Sequence, residues 1–323
     1  VQRMAASQMD VPVGRVVYTP LLSEHAGFVA DLTIMRLGEH DFRVVTGGAT
    51  GRTQLKWLRD HLPEDGSVAL QDQTSGWCTL GVWGPRARDL LQGVTEEDLS
   101  DEAFPFATCR WMTSGPLRVV ASRISYVGEL GWELYVPMEQ GARLWEVVWE
   151  GGREHGVLPV GLGVYLSTGR LEKCYRSYGD ELELEYDPVE AGLARPKVKE
   201  QDFIGKERYL ERRDEEPAAI LCTLTVDDHT PSNGQARYML GHEPVLTPDG
   251  APIVDRRGRG SYVTSAGSGP SVGKHILMSY LPPEHARQRE LLAVEYFGER
   301  YPVTVAVAGN TSLFDPENAR VRS

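Results

Sequence analysis

The chain has 323 residues, with 34 basic and 46 acidic side chains and a formal net charge of −12. A hydrophobic share of 41% with 7 Trp, 13 Tyr and 7 Phe excludes a disordered chain, a coiled coil and a collagen-like repeat. The acidic balance disfavours nucleic-acid binding, because the densest basic stretch is only Arg256, Arg257 and Arg259. This length predicts two or three packed units.

No run of 18 apolar residues is present, and the N-terminal residues lack the pattern of a secretory signal. We therefore expect a cytoplasmic protein without a membrane partner. The four cysteines are far apart and form no C-x-x-C pair, and no two histidines have the spacing of metal ligands on a helix. The sequence thus predicts neither a disulfide framework nor a metal site.

The first part of the chain alternates between short β patterns and turns, with two helical stretches. Leu55, Leu58 and Leu62 recur at helical spacing and predict a helix over residues 50–62. A second, shorter helix is predicted over residues 85–91, where Pro85 occupies the first position. The strands are predicted at residues 16–18, 28–32, 42–45, 68–70 and 78–83.

A second part begins near residue 117 with a strand, a turn, a strand and a helix over residues 140–151. From about residue 217 the strands become short, the turns carry Gly and Pro, and helical patterns nearly vanish, which is typical of a small β-barrel. Charged residues 208–216 are predicted to form an exposed linker before it. The predicted domains are residues 1–116, 117–216 and 217–323.

Residues 269–273 match the G-x-S-x-G sequence motif of the hydrolase nucleophile elbow. That elbow requires a helix after its serine, whereas residues 274–280 have the pattern of a strand. A tight β-turn is the better interpretation.

Three stretches carry more information when they are taken together. The first contains Gly14 to Pro20 followed by Gly27 to Leu32, the second runs from Ser125 to Tyr135, and the third runs from Arg170 to Leu193. They resemble the glycine-cleavage T-protein (aminomethyltransferase) family, and in particular the folate domains of dimethylglycine oxidase and sarcosine dehydrogenase. The resemblance extends from about residue 12 to residue 320.

The resemblance implies an α+β cloverleaf of three domains, two of them ferredoxin-like and the last a C-terminal antiparallel β-barrel. It also implies tetrahydrofolate as the cofactor. Asp31 falls on the family's catalytic aspartate, and a carboxylate there could move a proton or stabilise a developing iminium. The resemblance places Glu133 where the family accepts the N–H donors of the pterin. The other residues that it implies for cofactor binding are Tyr18, Val45, Gly47, Tyr126 and Arg170.

The chain departs from the family pattern in several places. Between Gly161 and Glu172 it lacks the family's Asp, has Gly169 where the family has Leu, and carries one extra residue. Gly47 stands where T-proteins hold an Asn. The resemblance also implies that the family's first domain begins with a segment before Gly14, and we expect that segment to be missing here. These departures predict a rebuilt substrate side and a possible partner, either a flavoprotein or a chain that supplies the N-terminal portion.

The leading hypothesis is a tetrahydrofolate-dependent transferase or demethylase that moves a methyl, methylene or aminomethyl unit from a small methylated donor. One alternative is a non-catalytic folate-binding scaffold, whose relatives carry an essential cysteine in a pattern that Lys173-Cys174-Tyr175 echoes. Another is the folate subunit of a flavin-dependent demethylating oxidase complex. The sequence leaves the donor, the direction of transfer and the oligomeric state open.

Overall fold

The computed structural model describes residues 1–230, 232 and 234–323, and these residues form a mixed α+β fold. Its strands are β1 (Val16–Leu22), β2 (Phe28–Arg36), β3 (Phe42–Val45), β4 (Trp77–Trp83), β5 (Cys109–Ser114), β6 (Leu117–Ser122), β7 (Gly131–Pro137), β8 (Ile220–Val226), β9 (Val245–Leu246), β10 (Val263–Gly269), β11 (Lys274–Leu281), β12 (Leu291–Tyr296) and β13 (Glu299–Ala308). Its α-helices are α1 (Gly51–Asp60), α2 (Ala87–Gln92), α3 (Gly141–Gly152), α4 (Arg170–Glu172), α5 (Lys206–Asp214) and α6 (Ala319–Arg322).

Hydrogen bonds join the described strands into three sheets. One sheet has the order β1-β2-β3, a second has the order β4-β7-β6-β5, and the third has the order β10-β11-β8-β13-β12-β9. Neighbouring strands pair antiparallel throughout the second and third sheets. The predicted α+β class is therefore confirmed.

Contacts within the described chain group it into two compact units. The first unit comprises residues 1–20, 32–160 and 318–323, and the second comprises residues 21–31 and 161–317. The three-domain division at residues 116 and 216 stays a prediction.

The core of the first unit lies between the four-stranded sheet and helices α2 and α3. Trp132 and Leu134 of β7 point to this side and pack with Leu144 and Val148 of α3. Because successive side chains of a strand alternate between its two faces, the residues between and beyond them point to the other face of the sheet. Both the strand and the helix lie where the sequence predicts them.

The core of the second unit is built on the six-stranded sheet. Leu224 of β8, Leu277 of β11 and Val303 of β13 are among its fully buried side chains. Irregular register interrupts the pairing between β10 and β11 and between β8 and β13, and such bulges increase the bend of a sheet. Gly269 pairs with Lys274, so the G-x-S-x-G letters form the β10–β11 turn, as predicted.

Two local predictions are wrong. Residues 208–214 are not a linker but most of helix α5, in which Tyr209 is buried. The charges there pair at helical spacing, with Arg208 contacting Glu211 and Arg212 contacting Glu215, so the charge run stabilises a helix. Residues 68–70 form no strand, since so short an apolar run has no neighbour to pair with, and Val68 is exposed.

Candidate functional site

Strand β7 directs Glu133 and Tyr135 to the face of the four-stranded sheet opposite its helices. Glu133 is only 9% exposed and lies directly across from Gly81 of β4 and Ser122 of β6. Residues that lie directly opposite each other share a face, so these three positions form the floor of one site. A carboxylate in so buried a place needs hydrogen-bond donors.

The Tyr135 hydroxyl is one such donor and hydrogen-bonds the Glu133 carboxylate. Burial raises the pKa of Glu133, while this hydrogen bond lowers it. The hydrogen bond from Tyr135 fixes the orientation of the carboxylate, which suits it to accept N–H groups from a ligand.

Trp83 forms the aromatic side of this site. A Cβ atom added at Gly81 would lie 2.2 Å from ring carbons of Trp83, so the ring occupies the space that a side chain at position 81 would fill. The Trp83 indole also donates to the carbonyl of Ile124 at 3.0 Å, which fixes the ring. Trp83 is not among the residues predicted from the sequence, where its only signal is the glycine two residues before it.

Ser122 contributes an unusual polar atom to the same floor. Its side chain is fully buried, and its Oγ makes no hydrogen bond to any residue that the structure describes. A buried hydroxyl without a partner is costly, and such atoms in native structures often face a ligand or water. The sequence analysis did not predict a role for Ser122 either.

The other residues of the first unit that are predicted to bind the cofactor lie on β1, on β3 and in two loops. Val45 packs against the cluster that contains Tyr135. Tyr18 is 41% exposed on β1, and Tyr126 is half-buried in the loop between β6 and β7. Gly47 lies in the turn before α1, where its carbonyl accepts the Thr50 N–H at 3.2 Å. The structure thus brings Val45 to the Tyr135 cluster, and roles for the others stay predictions.

Asp31 belongs to the second unit, where a tight contact positions its strand. The Phe28 N–H donates to the carbonyl of Glu183 at 3.2 Å, and a Cβ at Gly27 would lie 1.9 Å from the Leu184 carbonyl oxygen. Only glycine allows the backbone to approach so closely at that point. Asp31 follows three residues after Phe28, on the same strand β2.

Tyr178 is an electrostatic neighbour of Asp31. Burial raises the pKa of Tyr178, and the negative charges of Glu183 and Asp31 raise it further. Burial also raises the pKa of Glu183, helped by Glu185 and Asp180 and opposed by His242. Asp31 therefore lies close enough to Tyr178 for its charge to act on the phenol, and its role in proton transfer stays a prediction.

Arg170 follows a π-helix at Val164–Gly169, within the stretch where the family resemblance implies one extra residue. A single inserted residue is readily absorbed as a π-helical turn. The Arg170 guanidinium is buried and donates to Glu181 at 3.0 Å, to the Ser265 hydroxyl at 2.7 Å and to the Tyr175 carbonyl at 3.1 Å. These contacts support a structural role, and cofactor binding by Arg170 stays a prediction.

Replacing Arg170 with methionine is expected to lower the free energy of unfolding by about 3 kcal/mol, because the fully buried Glu181 would lose its paired cation. Urea unfolding followed by circular dichroism would measure this loss. Arg143→Met is the control, since its ion pair with Glu146 is exposed and contributes only about 0.5 kcal/mol. Equal stability of the two variants would contradict the structural role of Arg170.

Among residues 1–230, 232 and 234–323, no group of three or more His, Cys, Asp and Glu side chains is arranged to hold a metal ion. Within that same part of the chain, no helix is long and apolar enough to cross a membrane.

Comparison with known proteins identifies the family. The model described as "GCVT N-terminal domain" matches residues 1–199, and the model described as "Glycine cleavage T-protein C-terminal barrel domain" matches residues 221–309. The chain belongs to the glycine cleavage T-protein family, which confirms the resemblance found in the sequence. The predicted T-protein-like fold is confirmed as well.

Two curated relatives and one solved structure show how far the likeness extends. Mitochondrial dimethylglycine dehydrogenase from Mus musculus is 32% identical over 96% of this chain and 34% of that protein. An aminomethyltransferase from Geobacillus thermodenitrificans is 32% identical over 90% of this chain and 75% of that protein. The crystal structure of glycine cleavage system aminomethyltransferase T from Bartonella henselae aligns with a TM-score of 0.77 at 21% identity, covering 94% of this chain and 78% of that one.

The solved structure shows the shared fold. The chain spans about a third of the length of the dimethylglycine dehydrogenases that it matches.

Proposed function

We propose that this chain is a tetrahydrofolate-dependent one-carbon transferase of the aminomethyltransferase kind, acting on a small methylated donor. The buried Glu133 carboxylate carries the proposal, together with the unpartnered Ser122 hydroxyl opposite it and the fixed Trp83 ring. A pterin fits these groups, because it is planar and presents adjacent N–H donors. Tetrahydrofolate supplies the nitrogen atoms N5 and N10 that carry one-carbon units.

The protein's own residues would bind and manage protons. Glu133 accepts the N–H donors of the pterin, with the Tyr135 hydroxyl holding its carboxylate in place. Asp31 takes or holds the proton that is exchanged when a one-carbon unit leaves or joins a nitrogen, and its negative charge stabilises the positive charge that develops there. Tyr18, Val45, Gly47 and Tyr126 are proposed to complete the cofactor pocket, as the family resemblance implies.

The test is a donor screen with tetrahydrofolate and a series of N-methylated amines, with mass spectrometry of the demethylated amine. Formation of that amine only when tetrahydrofolate, donor and intact protein are all present supports the proposal. If tetrahydrofolate does not bind to the protein, the proposal is wrong.

A second candidate is that the chain accepts the one-carbon unit while a flavoprotein oxidises the methylated donor. The similarity to dimethylglycine dehydrogenase supports it, since the chain matches only about a third of that protein. This candidate expects tetrahydrofolate binding without demethylation by the chain alone. Adding a dimethylglycine-oxidising flavoprotein would then restore formation of the one-carbon product.

The scaffold alternative depends on Cys174, which the structure shows to be buried. Burial raises the pKa of its thiol, so the reactive thiolate is disfavoured. We expect Cys174→Ser to leave tetrahydrofolate binding and transfer within about twofold of the native values, at a cost of about 1 kcal/mol in stability. Fluorescence titration and the donor screen measure the two activities.

Cys222→Ser is the matched control for that change. Cys222 is also fully buried, on β8, and burial raises the pKa of its thiol to about 12. A loss of function in Cys174→Ser alone, with Asp31→Asn still active, would favour the scaffold.

A further inference from the structure

Arg43 lies against two aromatic rings of the first unit. It stands on β3, opposite Met35 of β2. Its guanidinium carbon is 3.9 Å from the ring centroid of Trp77 on β4 and 5.8 Å from that of Tyr135 on β7. Both distances are within the range in which a cation is attracted to the face of an aromatic ring. Arg43 therefore joins three strands around the ring that contacts Glu133.

One nitrogen atom of the Arg43 guanidinium has no hydrogen-bond partner among the described residues. Its Nη1 atom is buried and makes no hydrogen bond to any residue that the structure describes. Burial lowers the pKa of Arg43, yet a guanidinium remains charged throughout the physiological range. The guanidinium lies against aromatic faces and forms no ion pair with a carboxylate that the structure describes, while Asp41 acts on its charge at longer range. Its field therefore acts on those rings.

The ring of Tyr135 is the one that matters for the site. Tyr135 is nearly fully buried, and its hydroxyl donates to the Glu133 carboxylate. A cation over the phenol ring withdraws electron density and so makes the hydroxyl a stronger donor. A stronger donor stabilises the ionised form of the carboxylate that accepts it.

We propose that Arg43 is a positioning residue, whose guanidinium fixes the Tyr135 ring and strengthens its hydrogen bond so that Glu133 stays ionised. The step from an ionised Glu133 to pterin binding rests on the proposed function. The effect on Glu133 itself does not, because it is a property of the free protein. Arg43 thereby tunes the acceptor without contacting the ligand.

The other titratable groups near Arg43 do not reverse the change that we expect in the pKa of Glu133. The titratable neighbours of Arg43 are Tyr135 on β7, Asp41 before β3 and Cys109 on β5, and only Asp41 is charged at physiological pH. Burial raises the pKa of the Cys109 thiol to about 11, so it is neutral at physiological pH. Gly81 and Ser122, which flank Glu133 on β4 and β6, do not titrate in this range. Removing the Arg43 charge should therefore raise the pKa of Glu133.

The test is a pH titration of the Glu133 side-chain carboxyl by NMR, in protein labelled with ¹³C-glutamate and assigned by the resonance that Glu133→Gln loses. Arg43→Met is expected to raise the titration midpoint by about half a pH unit. Arg43→Lys, which keeps the charge, should shift it by less than half of that amount. Arg43→Gln replaces Arg43→Met if the latter does not fold.

The Tyr135→Phe background tests whether the effect passes through the phenol. In the Tyr135→Phe background, Arg43→Met should not shift the titration midpoint of Glu133, because the Arg43 charge acts on Glu133 through the Tyr135 hydroxyl. An unchanged midpoint in Arg43→Met with a lowered melting temperature would overturn the proposal, since it indicates packing alone. An equal shift in both backgrounds would also overturn it. Absence of tetrahydrofolate binding to the native protein would overturn the proposed function and leave the NMR result standing.

Discussion

Replacing Glu133 with glutamine is expected to weaken tetrahydrofolate binding about a hundredfold, the equivalent of about 3 kcal/mol. The amide keeps the size of the side chain but loses the charge that strengthens two hydrogen bonds from the pterin. It also presents a donor where the ligand needs an acceptor. Quenching of tryptophan fluorescence would measure the change, because Trp83 lies beside Glu133.

The same residue predicts the pH dependence of binding. Burial raises the pKa of Glu133 above its ordinary value of 4.5, and only the ionised form accepts the pterin. Affinity should therefore be complete well above that raised pKa and be lost as the pH falls through it, at a midpoint above 4.5. In Glu133→Gln, the affinity for tetrahydrofolate should no longer fall as the pH is lowered.

Glu146→Gln is the control for both measurements. Glu146 lies on the exposed surface of α3, where it pairs with Arg143. Its replacement should leave affinity within about twofold of the native value, since exposed ion pairs contribute little. Equal binding by Glu133→Gln and Glu146→Gln would show that Glu133 does not hold the pterin.

Replacing Asp31 with asparagine is expected to lower kcat by about 100- to 10,000-fold, the usual contribution of a general acid or base. Asparagine is nearly isosteric, so affinity for tetrahydrofolate should stay within about threefold. A loss in kcat without a loss of binding is the signature of an interaction made during the chemical step. Single-turnover assays with the donor found in the screen would separate the two quantities.

Asp60→Asn provides the comparison for Asp31. Asp60 ends helix α1 and forms an exposed ion pair with Lys56. Neither residue has a proposed part in the chemistry. It should retain native kcat and affinity. If Asp31→Asn also retained native kcat, Asp31 would not be the acid or base.

The sequence predicted the elements of the fold well where the side-chain pattern has a clear period. Side chains alternate regularly along β7, with Trp132 and Leu134 on one face and Glu133 with Tyr135 on the other. Helix α3 likewise follows from apolar residues at helical spacing. Helix α5 was missed, because its charged residues were interpreted as a solvated linker although their spacing is helical.

The site was less predictable, since it depends on register between strands. Nothing in the sequence says that Gly81 and Ser122 lie opposite Glu133, or that the Trp83 ring fills the space above Gly81. Arg43 reaches Trp77 and Tyr135 from a strand far away in sequence. Such contacts follow from the tertiary fold and leave no local pattern.

The roles of Asp31 and Arg170 show two limits of family resemblance. The resemblance singles out Asp31 but does not show that its negative charge acts on the Tyr178 hydroxyl. It also implies that Arg170 binds the cofactor; the structure shows contacts of that side chain with Glu181 and Ser265 in the second unit, and cofactor binding stays a prediction. A residue's position in a family pattern does not reveal whether it serves the ligand or the fold.

The most direct test of the account is a calorimetric titration of the native chain with tetrahydrofolate, alongside Glu133→Gln and Asp31→Asn. We expect saturable binding by the native chain, binding of nearly native affinity by Asp31→Asn, and binding weakened about a hundredfold by Glu133→Gln. Absence of binding to the native chain, or equal binding by all three proteins, would contradict it.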